Sequence, residues 1–591
     1  MAGLSLSQRP ASMAHAGLGS CTRALLLTVP LALAACGGGS SSDSDTAAPP
    51  SGLNVGYGTK AYHFSWSAAP NATRYELFED PDGAAGPQPE VQIGGAITGT
   101  AYAHSLAAQM LHERVNASYR LRACDANGCR PFSAAATPDL TQAIGRFELA
   151  GGGPVGRFGS YPNVVVLSAD GATLAVGAPS EASTTRLAGA GAVYVFSRSA
   201  AGAWSQQVRL QASSPAAKMA FGASLALSSD GNTLAVGAPE ERSNARGINS
   251  DASNGDAYGA GAVYTFHRSG GAWSQQAYVK ARNTPQKVAT CSRLDISGTM
   301  TFPCTPQHFG FSVALSADGN LLAVGAPEEG ADFTQGLGGV VGSAWRFGTE
   351  TIFGGGVGAV HTFARTSGTW AEQAYLPGSS ADPSMARFGA VLALSSDGTV
   401  LAASTDKDVS VLTQLSGTWS APTQVWRQPP ERGSQQPFAL SGDGSTLAFV
   451  DGSAGPDVQL QTFTRAGAVW AQQPALPVKS ADRYFSESTM LSLSADGRTL
   501  ALGNPDDASN APGINGNASN QAADSAGAVN IYRRTGATWS HSAYLKAPQP
   551  QVRARLGISV ALSGDASTLA VGTSSATDGV TAAVPNAAYI Y

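Results

Sequence analysis

The sequence predicts an all-β protein, an antiparallel β-sandwich followed by a seven-bladed β-propeller. Three observations carry that prediction. Apolar and polar residues alternate at period two through residues 50–140, the mark of half-buried strands. One unit then recurs seven times through residues 143–591. Only 13% of the 591 residues are charged and 70 are glycine, which suits many short strands joined by tight turns. The same balance excludes a coiled coil or a disordered acidic chain. Lys and Arg number 36 against 41 Asp and Glu, with no basic block, so nucleic acid is not an expected partner.

The first element is an address. Arg23 precedes an apolar run from Ala24 to Ala35 that ends at Cys36. The run is too short to cross a bilayer stably and reads as an export signal over residues 1–35. The stretch ahead of Met13 is long for such a signal, which makes Met13 an alternative start. A plain signal cut at A-x-A is one reading. Leu33-Ala34-Ala35-Cys36 also resembles the bacterial lipobox. That resemblance implies a diacylated Cys36 as the first mature residue and an anchor of two or three acyl chains. With Gly37 next, it implies the outer membrane, its periplasmic or surface side left open. Residues 36–49, rich in Gly and Ser, read as a flexible tether.

The second element, residues 50–140, alternates Tyr62, Phe64 and Trp66 with His63 and Ser65. Tyr75 and Leu77 flank Glu76; Tyr119, Leu121 and Ala123 alternate with Arg120 and Arg122. Pro81-Asp82-Gly83 and Asp125-Ala126-Asn127-Gly128 supply turns. Trp66, Tyr75-Glu76-Leu77 and Tyr119-Arg120-Leu121-Arg122-Ala123 together resemble a fibronectin type III domain. No Arg-Gly-Asp tripeptide occurs, and the module reads as a spacer. Cys124 and Cys129 flank its last turn, and Cys291 and Cys304 form a second close pair. In an exported chain both pairs are expected as disulfides. The pairs lie in different domains, which argues against one zinc site.

The third element is the repeat. Leu167-Ser168-Ala169-Asp170-Gly171-Ala172-Thr173-Leu174-Ala175-Val176-Gly177-Ala178-Pro179 recurs with its Asp at Asp230, Asp318, Asp397, Asp443, Asp496 and Asp565. Phe-Gly precedes it at Phe158, Phe221, Phe309 and Phe388; Gly-Ala-Val follows at Gly191, Gly261, Gly358 and Gly527. A strand with Trp204, Trp273, Trp370, Trp419, Trp470 or Trp539 closes six units. Each unit thus reads as four strands, with an Asp-Gly hairpin in which both turn residues tolerate positive φ. The seventh unit ends at Tyr591 without its Trp strand, and Gly145 to Ala150 resembles a fourth strand. That segment is expected to complete the last blade and remove a free edge. These motifs resemble the FG-GAP repeats of the integrin α-subunit propeller. Calcium-binding members carry three or four carboxylates between the first two strands. Here one Asp remains where calcium wants six to eight oxygens, so no metal site is expected.

The chemistry-bearing residues are few. Ser224, Ser312 and Ser559 sit in Gly-x-Ser elbows, but at one shared repeat position and without the second Gly of a nucleophile elbow. His267, His361 and His541 lie on repeat strands without metal-ligand spacing. Asn71-Ala72-Thr73 and Asn116-Ala117-Ser118 match the glycosylation sequon, a match expected to be chance in the bacterial lipoprotein that the lipobox resemblance implies. The reading is a non-catalytic, monomeric lipoprotein without cofactor, binding a protein or glycan through its propeller. The alternatives are a propeller hydrolase or lyase acting at the axis, or a scaffold of an envelope complex. The Asp-Gly turns are uniformly short, whereas the opposite face carries long loops at 240–260, 282–308, 328–357 and 506–526. Binding residues favour such loops. Phe333, Trp345, Arg346, Phe347 and Phe353 are the candidate anchors, aromatics and Arg being the usual ones. The competing reading of these aromatics is a cap on a blade or a plug in the channel.

Overall fold

Period-two alternation becomes two antiparallel sheets in the module. In the computed structural model, β1 (Asn54–Gly58), β2 (Ala61–Ser65) and β5 (Ala101–Ser105) form one sheet. The strands β3 (Arg74–Asp80), β4 (Val91–Ile97), β6 (Ser118–Asp125) and β7 (Gly128–Cys129) form the other, in the order β4-β3-β6-β7. Tyr62, Phe64, Leu77, Tyr119 and Leu121 fill the space between them. The Tyr119 ring meets Phe64 at 4.8 Å and Tyr62 at 5.6 Å. Cys124 and Cys129 oppose each other in the β6–β7 register and are disulfide-bonded. The structure describes residues 48–591 except 149–163, 185–186, 256, 285–289, 296–297, 304–306, 331–343, 348–349, 354–356, 379–386, 428–436, 452–457, 479–489 and 575–586. It also leaves out the side chains of the hairpins within 290–303 and 344–353.

Past the module the described residues form a β-propeller of antiparallel sheets, each but the last running strand to strand in chain order. The first holds β9 (Val165–Leu167), β10 (Thr173–Ala178), β11 (Ala192–Arg198) and β12 (Trp204–Leu210). Six more begin at Ser224, Ser312, Leu392, Phe438, Leu491 and Ser559, and are numbered two to seven below. The last takes its outer strand from β8 (Gly145–Glu148), paired with Ala587–Ile590, so the first and last strands of the propeller are knitted into one sheet. In the fourth and fifth sheets the outer strand is split in two.

The repeated Asp builds each turn. Ser168 Oγ donates to Asp170 Oδ1 (2.6 Å) and accepts from the Thr173 N–H (2.9 Å), while Asp170 Oδ1 also accepts from the Ala172 N–H (2.9 Å). The same Ser–Asp bond recurs in the other six turns. One detail departs from the expected hairpin. Only Gly171 has positive φ (61°), not Asp170, and its N–H reaches Ser168 C=O (2.9 Å) inside a wider loop closed by Ser168 N–H to Thr173 C=O (2.9 Å). The Asp keeps an ordinary backbone because its side chain, not its φ, holds the turn.

Successive turns are hydrogen-bonded to one another. Ala169 N–H donates to Ser229 C=O (3.0 Å), Ser229 to Ala317 (2.9 Å), Ala317 to Ser396 (2.8 Å) and Ser396 to Gly442 (2.7 Å). Asp443 N–H continues to Ala495 (2.8 Å), Ala495 to Gly564 (2.9 Å), and Gly564 returns to Ala169 (2.9 Å). The opposite ends of the sheets meet through glycine. Gly191 bridges Phe221 in parallel, as Gly261 does Phe309, Gly358 does Phe388 and Gly527 does Leu556. A Cβ on Gly177 would lie 2.1 Å from Gly222 O, so only glycine permits this approach.

The module is docked against the propeller. Its apolar core runs on into that of the sixth and seventh sheets. Lys60, 1% exposed, donates from Nζ to Ser567 C=O and to Thr568 Oγ1 (3.3 Å) in the seventh turn. Burial, with Arg198 adding to it, lowers the Lys60 amine to about 7.

The seventh turn has Ala566 where the others have Gly, at φ 57°. Ala566→Gly is expected to raise unfolding free energy by about 1 kcal/mol in urea titration; an unchanged midpoint would mean the turn carries no strain. For Lys60, the unfolded chain binds one more proton than the folded chain between pH 7 and 10.5. Stability from this group therefore rises with pH across that window, by up to about 1.4 kcal/mol per pH unit. The wild-type minus Lys60→Met difference in unfolding free energy should show that slope, and parallel profiles would exclude it.

Candidate functional site

The axis is apolar. The first strands line a cavity of about 240 Å³ with three residues from each sheet, among them Val165, Leu225, Val313, Leu392, Phe438, Leu491 and Val560. Ser492 is the one polar lining residue, and its Oγ accepts from the Leu562 N–H (3.0 Å). No titratable side chain stands among these lining residues. Two of the three elbow serines are committed to neighbouring sheets: Ser224 Oγ donates to Gly310 C=O (2.8 Å) and Ser312 Oγ to Gly389 C=O (2.7 Å), whereas the buried Ser559 Oγ makes no such bond. Glu76, Cys124 and Cys129 are the one group of three His, Cys, Asp or Glu residues among the described residues whose ligand atoms all lie within 4.8 Å of one another, and its sulfurs are joined in the disulfide.

Charge collects on the loop face instead. Four units carry Gly-x-Pro at the end of their second strand, at Pro179, Pro239, Pro327 and Pro505, and the second residue after it is acidic, buried or half-buried, and placed beside a partner from its own unit. Glu241 holds Lys280 Nζ at 2.7 Å, and Asp507 holds Lys546 Nζ at 2.9 Å and the Tyr544 hydroxyl at 2.7 Å. Glu181 takes Arg209 (2.6 Å). Glu329 takes His361 Nε2 (3.0 Å), whose other nitrogen faces Glu372 (3.4 Å). Burial opposes the charge on His361, but Glu329 and then Glu372 raise it to about 9. The loops that follow Glu241 and Asp507 share Ser-Asn-Ala-x-Gly-Ile-Asn. Asn249 and Asn515 both have φ 57° and accept the Tyr278 and Tyr544 N–H groups at 2.9 Å. These asparagines thus hold each loop to its own sheet.

The first residue after Gly-x-Pro faces the next sheet. The residue before that sheet's Phe-Gly or Leu-Gly sits in the left-handed region at Ala220, His308, Arg387 and Arg555. Arg555 reaches Asp506 at 3.3 Å. His308 lies between Glu240 (3.4 Å) and Glu328 (3.2 Å), and Arg387 lies 3.7 Å from Glu328. Burial works against the His308 charge, yet the hydrogen bonds and charges of Glu240 and Glu328 raise it to about 9. Burial lifts the nearby Asp406 carboxyl to about 6. The His308 N–H donates to Gly259 C=O (2.9 Å), which sets Tyr258 beside this string. Tyr258 is 49% exposed and Arg242 stacks 4.5 Å from its ring centre. Tyr258, Arg242, Glu240, His308, Glu328, Arg387 and Asp406 thus form one partly exposed patch where sheets two, three and four meet.

Of the residues predicted from sequence, Cys36, Cys304 and Phe333 lie outside the described residues. The Cys291 strand pairs with Gly298–Pro303, with Cys291 opposite Phe302. Trp345, Arg346, Phe347 and Phe353 lie on a two-stranded hairpin, Trp345 opposite Ile352; their side chains are outside the described residues. Sequence reading missed the Tyr258 patch. Its signal was there in register: the residue before Phe-Gly and the residue after Gly-x-Pro vary together from unit to unit.

A family model described as FG-GAP repeat matches residues 204–266. No curated protein matches. Solved structures similar to this chain include the β-propeller domain of Cps50 (Swd1) from Myceliophteria thermophila, at 11% identity and TM-score 0.41, over 73% of this chain and 96% of that one. The periplasmic gluconolactonase PpgL of Pseudomonas aeruginosa is 14% identical, TM-score 0.37, over 81% and 98%. Hydrazine synthase of Kuenenia stuttgartiensis is 13% identical, TM-score 0.38, over 72% and 96%. Nothing about chemistry follows from likeness at this level.

The His308 imidazole gives a prediction. Its folded value of about 9 lies above the ordinary value of 6.5, so its stabilisation is complete below pH 6.5 and is lost as pH rises through 9. The wild-type minus His308→Gln difference should fall by up to about 1.4 kcal/mol per pH unit in that window. A flat difference would show that His308 is neutral.

Proposed function

We propose that the chain is an exported, lipid-anchored, non-catalytic binding protein of the outer membrane. In this reading a seven-bladed FG-GAP-type propeller is the binding head, and a fibronectin type III-like module of three-plus-four strands is clamped to it. The ligand is a protein or glycan, met by the loop face around Tyr258. The observation that carries this reading is the division of chemistry between two places. The axis, where a propeller hydrolase or lyase would act, is lined by apolar side chains and one committed serine. The loop face joins an exposed Tyr–Arg stack to a string of carboxylates, His and Arg, the mixture usual at the centre of a recognition surface. The lipid anchor rests on the lipobox at Cys36, and the monomeric state on sequence alone.

The test is a glycan and protein array probed with the purified chain, followed by Tyr258→Ala on whatever binds. Loss of an aromatic anchor should weaken binding by roughly tenfold or more. Unchanged affinity in a folded variant removes this patch as the site.

A further inference from the structure

A second cavity, of about 500 Å³, opens where the module meets the sixth sheet. Gln88, Gln109 and the 3₁₀ turn residues His112, Glu113 and Arg114 form its module wall. Arg533 and Ser542, on the two outer strands of the sixth sheet, form the other. Its volume falls within the roughly 300–1,000 Å³ of small-molecule sites, which favour boundaries between domains. Every lining side chain is polar, and the charges are matched. Arg533 pairs with Glu113, and Arg114 Nε lies 3.0 Å from Glu79. Burial, then the Arg533 charge, lowers the His112 imidazole to about 4, so it is neutral, with Nε2 3.2 Å from Ser542 Oγ. The exposed carboxamides of Gln88 and Gln109 have no hydrogen-bond partner among the described residues.

We propose that this cavity binds a neutral saccharide. An ionic ligand finds no unmatched counter-charge there. An apolar ligand would strip water from polar walls and return no hydrogen bond. A sugar returns both donors and acceptors, and each glutamine offers two N–H donors and a carbonyl to a pair of hydroxyls. Because the walls come from both parts of the chain, a bound sugar ties the module to the sixth sheet. It therefore raises the midpoint of unfolding as its occupancy rises. This site is separate from the Tyr258 patch and stands or falls without it.

The test is calorimetric titration of the full chain with glucose, N-acetylglucosamine, maltose and cellobiose, and with inorganic phosphate as the charged arm. At least one sugar is expected to bind saturably and to raise the thermal midpoint, and phosphate is not. Gln88→Ala with Gln109→Ala should weaken that sugar by roughly tenfold, the loss of about two hydrogen bonds, with an unchanged circular dichroism spectrum. Tyr258→Ala should leave it unchanged. Binding of phosphate alone, or of none of the four sugars, overturns the proposal. So does sugar binding that survives the glutamine changes, and binding lost with Tyr258→Ala assigns the sugar to the loop patch instead.

Discussion

Backbone-to-backbone contact between successive sheets is the constraint from which the rest of the propeller follows. At one end it is the chain of N–H to C=O bonds from Ala169 round to Gly564 and back. At the other it is the parallel bridging of Gly191, Gly261, Gly358 and Gly527 to the strand that enters the next sheet. Each hydrogen bond is worth only about 0.5–1.5 kcal/mol net. Their weight lies in being closed. A ring has no first or last sheet, so no sheet can leave without breaking two junctions and exposing an unpaired edge. The last sheet's outer edge is covered as well, by β8, which pairs with Ala587–Ile590 and links the start of the propeller to its end.

Closure constrains the two ends unequally. At the turn end, main-chain and Ser–Asp bonds consume the polar groups, and the same Ser–Asp bond holds all seven copies. Little freedom remains there for recognition, and the module occupies part of that end through Lys60. At the loop end only the glycine contact is fixed. The residues on either side of it are free to differ, and they do: Ser180 with Ala220, Glu240 with His308, Glu328 with Arg387, Asp506 with Arg555.

How much of this was legible in the sequence depends on the range of the interaction. The Asp-Gly turns, the Phe-Gly and Gly-x-Pro punctuation and the phase that hands β8 to the last sheet are local signals repeated many times. The module's strands show in the alternation of Tyr62, Phe64 and Trp66 because one face is buried. Lys60 was not legible. A lysine between Thr59 and Ala61 reads as a solvated turn, and its acceptors lie some 500 residues away at Ser567 and Thr568. The Tyr258 patch was missed for a related reason: its members come from loops of three sheets, and each alone looks like surface variation. The turn type was misjudged because the Ser168 hydroxyl and the Asp170 carboxylate together hold what a two-residue hairpin would hold by backbone φ.

The loops of sheets two and six show how a variable face is kept rigid. Glu241–Lys280 and Asp507–Lys546 are buried ion pairs, at 2.7 and 2.9 Å. Such pairs contribute little net stability over apolar packing, because desolvation opposes the attraction. Breaking one is costly, however, since a lone buried charge remains. Their effect is therefore on specificity of conformation: the loop either lies with its carboxylate on the lysine or strands a charge. Asn249 and Asn515 then fix the next turn of the same loops against their sheets. In sheet two this fastened loop runs on to Tyr258 and Gly259, where Gly259 receives the His308 N–H. The exposed ring is thus presented by a segment held at both ends, and little ordering entropy remains to be lost when a partner meets it.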